Sequence, residues 1–344
     1  MKKKLLALMM VAVLAFSLAA CGGGSSGGGE SGDSSEFAGG QTFSIKIGHS
    51  DTTSNPIHVS LENFKAYVEE KSGGAVTVDI YAAEQLGSNT EMAEMLEMGS
   101  LDAMMMPQGL EATYAPKINT LGLPFLFEDY DSVYKVLDSE IGDELVADLA
   151  DRNMIQLAYW ENGLRQTTNS KRPLNKAEDF KGLKIRTPED AMTIAIFTAL
   201  GAAPSPLAFS ELYLALQQGT FDGQENPVSN IHANNFQDVQ KYLSMTNHKY
   251  ECKNMIFSLT SWNKYPEDVQ NLLKEAAKIY GDEHRKAIVD SQETMLKELQ
   301  DAGMEVNEPD IEDLKAATAS VYDDFYAQND WAEDLVTRIK AAME

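Results

Sequence analysis

The side chains best placed to do chemistry lie between Lys181 and Pro227, in the run KGLKIRTPEDAMTIAIFTALGAAPSPLAFSELYLALQQGTFDGQENP. Leu183 and Ile185 alternate with Lys184 and Arg186 as a short strand requires, and Thr187-Pro188 then opens a helix. Thr187 is the expected N-cap, Pro188 fits the first helical position, and Asp190 gives a capping-box-like start to an apolar run that Gly201 ends. This spacing makes Arg186 the last strand residue, facing the amino end of a helix. In open α/β sheets that junction is where ligands bind, and its free N–H groups favour anions. A permanently charged, planar guanidinium there can grip a carboxylate through two parallel hydrogen bonds. The chemistry that follows is recognition of an organic acid, without turnover.

The elements that must hold this junction alternate strand and helix. Phe43, Ile45 and Ile47 form a strand up to Gly48; Asn55-Pro56 starts an amphipathic helix with Ile57, Leu61, Phe64 and Val68, stopped by Gly73-Gly74. Val76, Val78 and Ile80 make a second strand, Met92 to Leu96 a short helix closed by Gly99, and Leu101 to Met106 a third, wholly apolar strand whose methionines are core filler. Asp131 to Ala150 reads as helix. Ile155, Leu157 and Tyr159 begin a strand that runs through Asn162-Gly163 to Thr168 and can bend at the glycine, which puts Arg165 beside a hinge between two lobes. After a strand from Met255 to Leu259, Pro266 opens a helical pattern lasting to Gly303, about 55 Å long and so a beam shared by both lobes, with Gly281 as a kink point. Such alternation implies an α/β fold with sheets covered on both faces.

A formal charge of −25 excludes a nucleic-acid partner, since no basic face can be assembled to release phosphate counterions. Lys2 to Lys4, the apolar run Leu5 to Ala15 and Leu18-Ala19-Ala20-Cys21 read as a secretory signal ending in a lipobox, with Cys21 as the lipidated first residue of the mature chain. Residues 1–20 are then the signal peptide and 21–41 the lipidated cysteine with a flexible Gly/Ser tether. Cys252 is left alone and is expected to be a buried, inert thiol. No disulfide framework, metal site or cofactor motif follows from this inventory.

Several runs together closely resemble the solute-binding proteins of tripartite ATP-independent periplasmic (TRAP) transporters, the DctP type. They are Lys181 to Pro227, Asn162-Gly163-Leu164-Arg165-Gln166-Thr167-Thr168, Gln240-Lys241-Tyr242 and Thr246-Asn247-His248, with Ser72-Gly73-Gly74, Gln85-Leu86-Gly87, Gly99-Ser100-Leu101-Asp102 and Leu123-Pro124-Phe125 before them. Each piece is weak alone, but the order and spacing from Thr42 onward are not. The resemblance implies a periplasmic-binding-protein-like fold: two α/β lobes joined by crossing strands and one long shared helix, closing on a ligand. Residues 42–162 with 252–291 are then lobe I, and 163–251 with 292–344 lobe II. It further implies that Arg186 makes the bidentate contact with a ligand carboxylate and Arg165 a second cationic contact. Asn226 would donate to the ligand, and Phe209 would pack on it. In sialic-acid members the sugar's far end is held at positions matching Ser50, Asn89 and Pro107, and those identities are not kept here. Ser50, Asp51 and Asn89 still follow apolar strands or start helices and are expected in the distal half of the pocket. A C4-dicarboxylate or a sugar acid is the expected ligand, with sialic acid as the alternative. The implied partners are membrane permease subunits, which a lipid-anchored, extracytoplasmic monomer would serve.

The competing classes, a surface hydrolase or an adhesin, find little support. His49, His58, His232, His248 and His284 form no HExxH, and no GxSxG, P-loop or GxGxxG appears.

Overall fold

The computed structural model describes residues 37–343; the expected signal segment and Cys21 lie outside the described residues. The expected tether ends earlier than its composition implies. Phe37–Gly40 form a 3₁₀ turn in which Ala38 is buried and its N–H donates to Asp268 Oδ2 at 2.6 Å.

The first half of the chain gives β1 (Phe43–Gly48), α1 (Pro56–Lys71), β2 (Val76–Tyr81), α2 (Asn89–Glu97), β3 (Ala103–Pro107), α3 (Gln108–Glu111), α4 (Tyr130–Leu137), α5 (Glu140–Leu145) and β4 (Met154–Asn169). Side-chain caps set several of these ends, the one at Asn55 as expected. Asn55 accepts the Ile57 N–H at the start of α1, and Ser88 with Glu91 closes a reciprocal capping box on α2. The single helix expected from Asp131 to Ala150 is instead α4, α5 and a 3₁₀ turn at Ala147–Arg152. Ser139 caps α5, and the chain turns so tightly that a Cβ on Gly142 would lie 2.1 Å from the Leu137 carbonyl oxygen.

The second half adds β5 (Lys184–Thr187), α6 (Ala191–Ala199), β6 (Ala203–Pro206), α7 (Leu212–Gln217), β7 (Gly223–Pro227), α8 (Val228–Ala233), β8 (Tyr242–Ser244), β9 (Tyr250–Ser258), α9 (Leu259–Trp262), α10 (Glu267–Asp301), β10 (Glu305–Asn307), α11 (Ile311–Gln328) and α12 (Ala332–Met343). The strand order is β2-β1-β3-β9-β4-β7-β5-β6, with β8 on β4 and β10 on β8. Two α/β lobes share this path because β4 changes partner along its length: Met154 to Leu164 pairs antiparallel with β9, and Arg165 to Asn169 with β7. The change falls beside Gly163, whose φ of +128° only glycine adopts readily and whose Cα faces Pro227 and the Tyr130 hydroxyl.

Helix α10 is the second link. It buries Val269, Leu272, Leu273, Ala276 and Ala277 in one core and Leu299 in another, against Leu212, Leu216 and Phe221. Gly281, expected as a kink, serves close packing inside a continuous helix. A Cβ there would sit 2.8 Å from the Trp160 ring, whose Nε1 donates to the Ala277 carbonyl. The side-chain core does not stop at the boundary read from sequence. Ile118, Leu121, Val133 and Val136 pack in one cluster with Phe180, Ile185, Phe197 and Leu335, so residues assigned to both lobes meet at the crossing.

Candidate ligand-binding site

Arg186 stands one residue before the end of β5, because Thr187 is still laddered to Pro206 and so stays extended. The helix therefore starts later than expected. Asp190, not Thr187, is the N-cap of α6, accepting the Met192 N–H at 2.9 Å and the Thr193 hydroxyl at 2.6 Å. Lys249 donates to the same carboxylate, so the negative charge that this helix end favours is supplied by the protein.

The Arg186 side chain is only 3% exposed. Its Nε and Nη2 donate to the Leu207 carbonyl at 2.9 and 2.5 Å, and its guanidinium carbon lies 5.8 Å from the centroid of the Phe209 ring. Among the described residues no carboxylate lies within ion-pairing distance of it, and no protein acceptor meets Nη1. Burial accordingly brings its pKa down to about 10, against the distant pull of Glu225. A buried cation without a counter-ion is costly unless something else supplies the charge.

The cavity it faces has two adjoining parts that share Asn89, Arg186 and Phe209. Ser50, Asp51, Asn89, Arg165, Arg186, Phe209 and Asn226 all line the smaller part, so the structure brings together all seven residues expected around the ligand. Their states differ. Arg165 is saturated: Nε and Nη2 donate to the Glu225 carboxylate, Nη1 to Glu251, and Nη2 also to Asn226 Oδ1 at 3.2 Å. Burial opposes its charge, but Glu225 and Glu251 together hold its pKa above the ordinary value. Asn226 is a brace, its Oδ1 accepting from Arg165 and Asn230 and its Nδ2 donating to Gln224 Oε1 at 2.5 Å. Asp51 accepts from Lys253 at 2.6 Å; burial alone would raise its pKa, yet Lys253 and then His49 keep it far below the usual range.

Contacts between residues assigned to the two lobes close the cavity. Asn55 Nδ2 donates to Asn230 Oδ1 at 2.7 Å, Ser54 Oγ to the Ala233 carbonyl at 3.0 Å, and Thr90 Oγ1 to Glu189 Oε2 at 2.6 Å. The whole is a partly open chamber of mixed lining in which, among the described residues, Arg186 is a cation without a carboxylate partner while Arg165 and Lys253 have theirs.

Comparison with known proteins decides what kind of chamber this is. The family model for bacterial extracellular solute-binding proteins, family 7 (DctP), matches residues 47–329. The chain belongs to the DctP family of TRAP-transporter solute-binding proteins. It is 33% identical over 263 residues to the 2,3-diketo-L-gulonate-binding periplasmic protein YiaO of Escherichia coli K12, covering 76% of this chain and 80% of that one. It is 40% identical over 278 residues to an uncharacterized protein of Sinorhizobium fredii NGR234, covering 80% of this chain and 51% of that protein, about half whose length it spans. A crystal structure of a TRAP periplasmic solute-binding protein from Polaromonas sp. JS666 bound to D-erythronate superposes with a TM-score of 0.83 at 34% identity, covering 88% of this chain and 99% of that one. Among the described residues no helix is long and apolar enough to cross a membrane.

In this DctP-family chain the sequence reading missed most of the charge that shapes the pocket. Lys253, Glu251, Asn162 and Asn230 line it, and Lys249, Glu225 and His248 stand behind them. A signal was present. Lys249, Glu251 and Lys253 alternate with Tyr250 and Cys252, the period of a strand with one charged face and one apolar face. Both faces are buried: Tyr250 and Cys252 belong to the apolar cluster at the crossing, where burial pushes the Cys252 thiol up and leaves it inert.

Proposed function

We propose that this protein captures a small, singly charged, hydroxylated organic acid of the sugar-acid class between its lobes and delivers it to the membrane subunits of a TRAP transporter. The observation that carries this reading is the pairing of cations around the cavity. Arg165 and Lys253 each have a carboxylate partner, and Arg186 has none. A single carboxylate on the ligand completes Arg186 through the open Nη1 side; a second one would have to displace Glu225, Glu251 or Asp51 from its partner. Ser50, Asn89, Asn162 and Asn230 offer neutral donors and acceptors to hydroxyl groups instead. The names carried by the E. coli and Polaromonas proteins, a diketogulonate binder and an erythronate complex, support the same class.

In this reading Arg186 makes the bidentate contact, Phe209 covers the carboxylate end, and Ser50, Asp51 and Asn89 line the other end. Arg165 and Asn226 hold the wall against which the ligand lies. Cys21 carries the lipid that keeps a monomeric body at the outer face of the membrane, and no chemical step occurs.

The test is a thermal-shift screen of the purified protein with D-erythronate, L-gulonate, succinate and a neutral sugar. Binding stabilises the fold by about 2.7 kcal/mol at a ligand concentration one hundred times Kd, so one or more of the hydroxylated monocarboxylates raises Tm. A larger shift from succinate overturns the single-charge reading, and a shift from the neutral sugar alone overturns the carboxylate.

A further inference from the structure

Glu84 lines the part of the cavity that also contains Arg186 and Phe209, on the loop after β2, and nothing above gives it a role. Its two carboxylate oxygens are in different situations. Oε2 accepts the Ser210 N–H at 3.3 Å, from the turn that carries Phe209 in the opposite lobe. Oε1 is buried and has no partner. The Oδ1 of Asn89, lining both parts of the cavity, is likewise buried and unpartnered. Two buried acceptors without donors demand donors from whatever fills the space.

The backbone supports a functional placement. Ala83 and Glu84 have φ of +51° and +59°, two consecutive non-glycine residues in the left-handed region, a conformation that costs free energy and persists only where its surroundings hold it. What holds it is the turn just after β1: the Ala83 N–H donates to the Asp51 carbonyl at 2.9 Å and the Glu84 N–H to the His49 carbonyl at 3.1 Å. The loop that aims Glu84 is thus tied to the segment carrying Ser50 and Asp51. The field of Glu84 also reaches Arg186, where it favours the charged guanidinium.

We propose that Glu84 is a specificity-determining residue that reads hydroxyl groups on the ligand's carbons near the carboxylate, and that its second oxygen couples this reading to closure through Ser210. The proposal rests on the capture of a carboxylate by Arg186. An ionised carboxyl group accepts hydrogen bonds and donates none, so it rewards a hydroxyl, gives nothing to a methylene, and repels a second carboxylate at that place. Arg186 alone would bind any small acid; Glu84 beside it narrows the choice to hydroxy acids.

Isothermal titration of the full mature chain with D-erythronate and with 4-hydroxybutanoate, which lacks the hydroxyls next to the carboxylate, tests this. Wild type prefers D-erythronate. Glu84→Gln keeps the shape and an oxygen for Ser210, and lowers D-erythronate affinity by about ten- to hundredfold while changing 4-hydroxybutanoate by less than about threefold. Ser210→Pro, which removes the N–H across the cleft, weakens both acids by the same factor. Equal losses for both acids in Glu84→Gln, or an unchanged ratio between them, overturn the proposal and leave Glu84 a closure contact only. If wild type binds neither these acids nor L-gulonate, the carboxylate reading of Arg186 falls first and this one with it. Should Glu84→Gln fail to fold, Glu84→Asp, which withdraws the carboxylate by one carbon, replaces it with the same expected ratio change.

Discussion

Arg165 and Arg186 sit on neighbouring parts of one cavity wall, buried to 2% and 3% exposure, and they have opposite electrostatic fates. Arg165 is gripped by Glu225, Glu251 and Asn226, and its charge is favoured. Arg186 meets only a backbone carbonyl and an aromatic ring, and burial pulls its pKa down to about 10. The contrast separates two uses of a buried guanidinium. A saturated one is part of the frame, since its hydrogen bonds are already made when the protein folds. In the proposed function an unsaturated one is the receptor, because folding has set it in place without supplying its acceptor.

The largest effect that could break this contrast is on stability. Arg165→Ala leaves Glu225 buried without its arginine and Glu251 with only the more distant Lys249, and should cost about 3–5 kcal/mol in unfolding free energy, read from urea titration of the unliganded protein. Arg186→Ala removes a buried charge that has no partner, so the unliganded protein should be no less stable than wild type. It should instead lose about 2–5 kcal/mol of affinity for the acid that the thermal screen identifies. If Arg186→Ala unfolds the protein as readily as Arg165→Ala, both arginines are frame and the receptor assignment is wrong.

How far the sequence could be read follows the same division. Arg186 was visible because a strand end, a helix start and a cation coincide within a few residues, all local features. The capping of α1, the crossing at Gly163 and the long shared helix were legible for the same reason: each is set by neighbours in sequence or by an unbroken period. The saturation of Arg165 was not. Its partners Glu225 and Glu251 lie sixty and more residues away on β7 and β9, and only the register of those strands against β4 brings them together. The N-cap of α6 was misplaced by three residues because the pairing of Thr187 with Pro206, a tertiary contact, overrode a good local signal. The ligand itself is legible only as an absence of charge compensation, which a sequence does not display.

Carboxylates repeat the contrast and give it a pH dependence. Burial would raise Glu225, but Arg165 and then His248 bring it down to about 2. Glu161, next to the crossing on β4, is pushed up to about 8 by burial, with hydrogen bonds from Tyr134 and Tyr250 opposing the rise. Its folded-state value exceeds the unfolded 4.5, so the folded protein retains a proton that the unfolded chain has lost. That contribution is complete below about 4.5 and is lost as pH rises through about 8; the Glu225 contribution runs the other way, lost only as pH falls towards 2. Glu161→Gln should therefore flatten the decline of unfolding free energy between pH 6 and pH 9, by about 3 kcal/mol across that span. An unchanged slope would show Glu161 to be ionised and compensated, a second saturated site.

The smallest expected effect tests what the receptor arginine leans on. Phe209 faces the Arg186 guanidinium from 5.8 Å and meets Phe236 edge-on with ring centroids 6.4 Å apart, so it both covers the cation and packs into the second lobe. Phe209→Leu keeps most of the apolar volume and removes the ring face. A cation–π contact of this kind contributes about 0.5–2 kcal/mol, the larger figure where water is excluded. In the unliganded protein the ring is one of the few groups offsetting the Arg186 charge, and in the proposed complex a carboxylate takes over that task. Stability without ligand should thus fall by about 1 kcal/mol, with a smaller loss of affinity. A larger loss of affinity than of stability would show that the ring's contact with the ligand outweighs its contact with the cation.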